Sequence, residues 1–275
     1  MTKGSLVVVG TGIKVVGHMT LEAQAFIQQA EKVLYLVANE IMVDWIRTLN
    51  STAESLERYY GEDKLRLETY QEMVGHILGL VRQGLQVCVV YYGHPGAFVT
   101  SAHIAIRQAR QEGFVAWMQP GISAEDCLLA DLAVDPAIHG MQSFEATGFL
   151  LQKHSVDVTS NLILWQVGTV GVLRFYQDIV ITNGLSVLTE YLVNFYGPDH
   201  EVVLYEASQY PTMPALIQRL SLAQLSTANV SRMATLYIPP KTIAPLDRAM
   251  MERLGIERAE LVWKEGQASR PERKN

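Results

Sequence analysis

The sequence predicts an α/β protein made of two successive α/β units. Three observations carry that expectation. Strand-like apolar runs alternate with helix-periodic segments, the strands end in Gly- and Pro-rich turns, and the alternation breaks at Pro120-Gly121. Unbroken apolar strands in such an alternation indicate a mostly parallel sheet covered on both faces.

In the first unit, residues 1–119, Leu6–Val9 reads as a buried strand, and Thr20 caps a helix that runs through Ala30. Val33–Val37 is a second strand. From Asp63 to Gln83 the period is helical, with Leu67, Tyr70, Val74, Ile77 and Val81 on one face, and Gly84 ends it. Val87–Tyr92 is an apolar strand, Thr100–Glu112 a helix closed by Gly113, and Phe114–Met118 another strand. The second unit, residues 120–243, opens on Ser123 as N-cap with Asp126 three residues on, a capping-box variant for a helix over Ala124–Leu132. Leu162–Val167, Glu201–Ala207 and Thr235–Ile238 follow as strands, with a helix over Leu185–Phe195 between the first two. Residues 244–275 supply a last helix, over 244–256, and a polar tail from Gly266.

A chain of 275 residues, 49% hydrophobic, can bury a large core. Charged residues make up 18%, so much of the chain belongs inside a fold or an interface. The net charge of −6 argues against a general nucleic-acid binder, which needs a basic face against phosphates. Cys88 and Cys127 show no metal-ligand spacing and sit in apolar contexts, as buried thiols of a reducing compartment do. No secretory signal opens the sequence, and no apolar run reaches the ~18 residues of a membrane span. The expectation is a soluble cytoplasmic protein with no metal and no membrane or nucleic-acid partner.

Three loops at strand ends hold the functional signals. Leu6-Val-Val-Val-Gly-Thr-Gly-Ile-Lys-Val-Val-Gly17 approaches the G-x-G-x-x-G turn that cradles a dinucleotide pyrophosphate. That use needs an acid about 20 residues on, and Glu40 lies rather far along. The helix is also displaced, capped at Thr20 and not beside Gly12, and a glycine-rich turn of any function accounts for the stretch as well. Tyr91-Tyr-Gly-His-Pro-Gly-Ala-Phe98 joins a rigid turn of bare backbone to aromatics and His94, at a position where open α/β sheets bind ligands. A plain tight turn with a surface histidine is the alternative. Met118-Gln-Pro-Gly-Ile-Ser-Ala-Glu125 sets Ser123 and free helix-terminal N–H groups beside a stiffened turn, which a helix cap alone also explains.

Taken in order, Val9-Gly-Thr-Gly12, Tyr92-Gly-His-Pro-Gly96, Pro120-Gly-Ile-Ser-Ala124 and Gln166-Val-Gly168 resemble the tetrapyrrole methylase family of S-adenosylmethionine-dependent enzymes. The resemblance covers about residues 5–240. It implies two α/β domains of tetrapyrrole-methylase type with the methyl donor in the cleft between them. More narrowly, Gly17-His-Met-Thr20, Tyr92–Phe98, Glu112-Gly-Phe114, Pro120–Asp126, Ala130-Asp-Leu132, Trp165–Gly171 and Tyr237-Ile-Pro-Pro240 look like the borosin peptide backbone α-N-methyltransferases.

Two departures refine the resemblance. Tetrapyrrole-acting members usually carry a Gly-Asp-Pro turn where this chain has Gly93-His-Pro95, which favours the borosin branch over a corrin or porphyrin substrate. Fused borosins carry an apolar core peptide at their C-terminus, whereas this sequence ends at Asn275 with a charged tail. The expectation is the split type, which methylates a separate precursor peptide. Donor contacts are implied for Tyr92, His94, Ala97, Phe98, Ser123, Ala124 and Gln166, and in a looser match for Tyr205, Ala207, Ala234 and Thr235. A homodimer that engages two precursors is implied too, with S-adenosylhomocysteine as product. The alternatives are a methylase of a small tetrapyrrole-like substrate and a non-catalytic peptide-binding relative.

The segment Arg58–Gln71 holds the most suggestive side chains. Arg66 and Tyr70, four residues apart, share a helix face, and Tyr60, set off by Gly61, can fold back over the first turn. Core tyrosines with an arginine reaching to water are the ordinary explanation of such a set. By resemblance, the three match the borosin positions around the target amide. A peptide nitrogen is a poor nucleophile because its lone pair is delocalised, so methylation needs loss of the N–H proton. A phenolate can take that proton, but free tyrosine titrates near ~10. A charged arginine nearby favours the phenolate and stabilises charge on the amide oxygen. Tyr70 is thus expected as base or relay, Arg66 as its electrostatic partner and oxygen clamp, and Tyr60 as a second hydroxyl.

Overall fold

The computed structural model describes residues 4–177, 183–257 and 261. Its first half is a parallel sheet of β1 (Ser5–Gly10), β2 (Lys32–Leu36), β3 (Glu54–Ser55), β4 (Gln86–Tyr91) and β5 (Val115–Met118), in the order β3-β2-β4-β1-β5. The crossovers carry α1 (Leu21–Gln29), α2 (Glu40–Leu49), α3 (Arg66–Arg82) and α4 (Thr100–Gln111). Successive strand residues face opposite layers, which is why the central strands are apolar throughout. Leu6, Val8 and Val89 pack with Ile77 of α3 and Ala105 of α4, while Val7, Val9 and Val90 pack with Ile27 of α1 and Ile46 of α2.

The second half opens with α5 (Ala124–Leu132) and α6 (Pro136–His139). Its sheet is mixed: β6 (Met141–Glu145), β7 (Asn161–Trp165), β8 (Glu201–Glu206), β9 (Leu216–Ser221) and β10 (Thr235–Ile238) lie in the order β6-β7-β10-β8-β9. Only β6 and β7 pair in parallel. Helices α7 (Ala146–Leu151) and α8 (Gly184–Tyr196) cover one layer of it, where Phe149, Leu188 and Leu192 meet Leu164, Leu204 and Leu236.

The expected caps form. Thr20 accepts from the Ala23 amide at 3.1 Å, and Ser123 and Asp126 make the reciprocal capping box of α5. Glu40, already poorly placed for a ribose, is the first residue of α2, whose cap Asn39 accepts from the Ile41 amide. Three expectations need correction. Leu67, in the first turn of α3, is 55% exposed, and the buried face of the helix runs instead through Thr69, Met73, Val74, Ile77 and Val81. The expected strand to Val167 stops at Trp165, where Gln166 turns into the left-handed region. The last helix, α9 (Arg248–Leu254), starts after Pro245, with Asp247 accepting from the Met250 amide. The polar tail from Gly266 lies outside the described residues.

The topology sets up the site. Parallel pairing gathers the carboxyl ends of β1, β4 and β5 at one edge of the first sheet. Antiparallel pairing of β10 with β7 and β8 brings Gln166, Ala207 and Ala234 to one edge of the second. The edges face each other. Ile13 packs among Leu128, Trp165 and Tyr205, the Val15 amide donates to the Gln209 carbonyl at 2.8 Å, and the rings of Phe98 and Trp165 lie 5.5 Å apart. Among the described residues no helix is long and apolar enough to cross a membrane, and Cys88 and Cys127 are buried free thiols.

The glycine turn has a structural task. Gly12 and Gly93 exchange both backbone hydrogen bonds, at 3.2 and 3.0 Å, and a Cβ on Gly10 would stand 2.1 Å from the Gly93 carbonyl oxygen. Gly10→Ala should therefore force the two loops apart and cost about 1–3 kcal/mol of stability, read as a lower denaturation midpoint. An unchanged midpoint would contradict this packing.

Candidate functional site

A cleft of about 250 Å³ lies between the two halves, with Tyr60, Arg66 and Tyr70 on one wall and Gln166, Thr169, Arg174, Phe175 and Arg232 on the other. Arg66 opens α3 and Tyr70 follows one turn later, so the helical period brings both to the cleft. Tyr60 follows a short 3-10 turn, Glu57–Tyr59, and its ring packs on Phe175 with centroids 4.7 Å apart. The N-cap position of α3 is Leu65, which has no side-chain acceptor to offer. The cap comes from the opposite half: the Arg66 amide donates to the Leu173 carbonyl at 3.2 Å. Beside it the Asp63 amide donates to the Phe175 carbonyl at 2.9 Å, and the Phe175 amide to the Lys64 carbonyl at 2.8 Å.

The electrostatics are less one-sided than the sequence implies. Arg66 does lower the pKa values of Tyr60 and Tyr70, as expected of a nearby cation. Burial raises both by more, so each phenol titrates above the ordinary tyrosine value and is protonated near neutral pH. The Arg66 side chain has no hydrogen bond or ion pair among the described residues. Three arginines and no carboxylate line this cleft in a chain whose net charge is −6.

The residues expected around the methyl donor fall on the two facing edges. Tyr92, His94, Ala97 and Phe98 lie in the loop after β4, where burial pushes the Tyr92 phenol up to about 12 and His94 Nδ1 accepts from the Gly96 amide at 3.0 Å. Ala97 is exposed, and Phe98, 48% exposed, sits beside Trp165 with φ +59°. Gln166, with φ +60°, lines the cleft. Left-handed backbone at two non-glycine residues marks these strand ends as strained. Ser123 is committed to capping α5, which Ala124 begins. Tyr205 is fully buried and donates to Asp131 Oδ2 at 2.7 Å, while Ala234 and Thr235 are buried where β10 begins and Ala207 follows β8. Of this group only Gln166 borders the cleft that holds Tyr60, Arg66 and Tyr70.

Sequence reasoning missed Arg174, Phe175 and Arg232, and gave no role to Thr169 although it lies within the Trp165–Gly171 motif and in a 3-10 turn, Val167–Thr169. The first three sit outside regular strands and helices, without periodicity or motif, and only the approach of the two halves gives them a place. A second pocket, about 300 Å³, lies between Lys14, His18, Asp126, Asp131 and Ser208. Burial, reinforced by Lys14, lowers the His18 pKa. Among the described residues no group of three or more His, Cys, Asp or Glu side chains gathers to hold a metal.

Residues 5–224 match the family described as Tetrapyrrole (Corrin/Porphyrin) Methylases. The chain is 43% identical over 242 residues to a methyltransferase/ribosomally synthesized cyclic peptide dendrothelin A precursor of Dendrothele bispora, covering 86% of this chain and 58% of that protein. It is 39% identical over 258 residues to a methyltransferase/ribosomally synthesized type I borosin cyclic peptide precursor of Gymnopilus junonius, covering 92% and 61%. The chain thus spans about three fifths of the length of these curated relatives. In fold it is similar to the uroporphyrin-III-C-methyltransferase of Thermus thermophilus, with a TM-score of 0.62 at 16% identity, over 90% of this chain and 100% of that one.

Buried phenols also set an alkaline limit. Burial holds the Tyr91 phenol at about 12, against 10.0 for the free side chain. The native state keeps a proton that the unfolded chain loses, so stability is intact below the unfolded pKa and falls as pH rises between these two values. Thermal midpoints should decline across that window, and less steeply in Tyr91→Phe. Equal slopes in the two proteins would refute the assignment.

Proposed function

The chain belongs to the tetrapyrrole (corrin/porphyrin) methylase family, and from that premise we propose that it methylates backbone amides of a ribosomally made precursor peptide, iteratively, with S-adenosylmethionine as donor. One observation carries the reading: Tyr60, Arg66 and Tyr70 converge in a single cleft, with the arginine acting on both phenols and its side chain making no hydrogen bond or ion pair among the described residues. The relatives named as both methyltransferase and cyclic-peptide precursor support a peptide as substrate. A cleft of about 250 Å³ also suits a peptide unit better than a macrocycle.

The residues at the facing edges fit the donor. The half-exposed Phe98 ring beside Trp165 suits a flat base and a sulfonium, and the Gly93–Gly96 turn offers backbone groups. Tyr92, His94, Ala97, Phe98, Ser123, Ala124 and Gln166 would hold it, with Tyr205, Ala207, Ala234 and Thr235 shaping the floor. When bound, it supplies an electrophilic methyl group.

The protein's own part is to make an amide nitrogen nucleophilic and hold it still. Arg66 receives the amide oxygen and stabilises the negative charge that deprotonation moves there. Tyr70 gives up its own proton to solvent under the influence of Arg66, and the resulting phenolate accepts the N–H proton, while Tyr60 holds the network through its hydroxyl. Because burial raises both phenols, Arg66 is needed to bring proton transfer within reach. Two buried free thiols favour a reducing, cytoplasmic setting. A homodimer that engages two precursors, as the borosin resemblance implies, completes the proposal.

The test is mass spectrometry of precursor peptide incubated with donor and protein, with the protein's own mass read in parallel for methylation in cis. Wild type should add methyl groups in steps of one. Tyr70→Phe and Arg66→Ala should each lose at least about 100-fold in rate while still binding donor by calorimetry. Full methylation by both variants would remove these assignments, and transfer to a tetrapyrrole but to no peptide would overturn the substrate.

A further inference from the structure

We propose that Asp63, Arg174 and Tyr176 are positioning residues: they form a clamp between the two halves that fixes Arg66 in the cleft. The proposal rests on the methyl-transfer reading above. Its starting point is a local rule broken at Arg66. A cation at the first residue of a helix lies against the positive end of the helix dipole, and α3 has no side-chain cap to anchor its start. Something outside the helix must hold that turn.

The opposite half supplies it through Asp63. This residue stands in the left-handed region, φ +58°, an uncommon conformation for a residue with a Cβ. Three consecutive residues grip it. Its amide donates to the Phe175 carbonyl at 2.9 Å, its carbonyl accepts from Arg174 Nη1 at 2.6 Å, and its Oδ1 accepts from the Tyr176 hydroxyl at 2.9 Å. On one side the Gln177 amide donates to Glu62 Oε2 at 2.9 Å, and on the other the Leu173 carbonyl caps Arg66. Residues 62–66 are thus laid along residues 173–177, and Arg66 is the last link.

Clamp groups of this kind add little to global stability. The Arg174 and Asp63 side chains are 46% and 68% exposed, and their charged atoms stand 3.8 Å apart, which water screens. What they determine is where the first turn of α3 begins. Reaction rates fall steeply when a charge-stabilising group is displaced by about 1 Å.

The experiment combines amide hydrogen exchange with steady-state methylation of a precursor peptide by the full chain. Tyr176→Phe, Arg174→Ala and Asp63→Gly should speed exchange at the Asp63 and Arg66 amides. They should lower kcat by about tenfold or more while leaving the KM for the donor and the thermal midpoint near wild type. Asp63→Asn tolerates the left-handed backbone and keeps an acceptor for Tyr176, so it should restore most of the rate. In an Arg66→Lys background, Arg174→Ala should cost much less than it does alone, because both act through one guanidinium site. Fully additive losses, or wild-type kcat in the three clamp variants, would overturn the clamp. A wild-type protein that methylates no peptide would overturn the methyl-transfer reading instead, and the exchange measurements would still decide whether the clamp holds the helix start.

Discussion

Two backbones meet where residues 63–66 lie beside residues 173–175, and the cleft depends on that meeting. The first half contributes a helix that starts without a side-chain cap, and the second contributes the Leu173 carbonyl that completes it. Tyr60 reaches the same seam through its ring contact with Phe175. Neither wall of the cleft is a finished surface alone. A site made this way couples the geometry of its reactive groups to the docking of its two halves, so small relative displacements act on chemistry before they act on stability.

The same enclosure has two opposing electrostatic effects. Desolvation favours the neutral phenols of Tyr60 and Tyr70, and a low effective dielectric strengthens the influence of Arg66 on both. The guanidinium is the one member of the trio that keeps its charge regardless. With three arginines lining the cleft and no carboxylate among them, the wall favours an electron-rich oxygen, whichever tyrosine handles the proton.

The glycine-rich turns divide the work differently from what their motifs suggest. Gly10 and Gly12 let the ends of β1 and β4 touch backbone to backbone, with the Gly93 carbonyl occupying the space that a Cβ on Gly10 would need. This packing lets the loop after β4 reach across, carry Phe98 to Trp165 and close the edge toward Gln166. The strain is placed at Phe98 and Gln166, which face the opposite half, and the glycines absorb the close approach behind them.

By itself the sequence determined the elements whose causes are local. Apolar runs specify β1, β4 and β10, Thr20 and the Ser123–Asp126 pair specify helix starts, and the i, i+4 spacing of Arg66 and Tyr70 specifies a shared face. The ordered loop motifs carried the family as well, because close backbone approach restricts residue type at fixed positions. Elements without a local cause were not legible: β9 has four exposed residues and exists through pairing with β8, and β6 exists through β7. Only the tertiary structure decided that Leu67 is exposed, that Tyr205 is committed to Asp131, and that Arg174, Phe175 and Arg232 belong to the cleft. Such outcomes depend on surfaces that are distant in sequence, 74 residues for Tyr205 and Asp131 and 111 for Arg174 and Asp63, and neither periodicity nor capping records such an encounter.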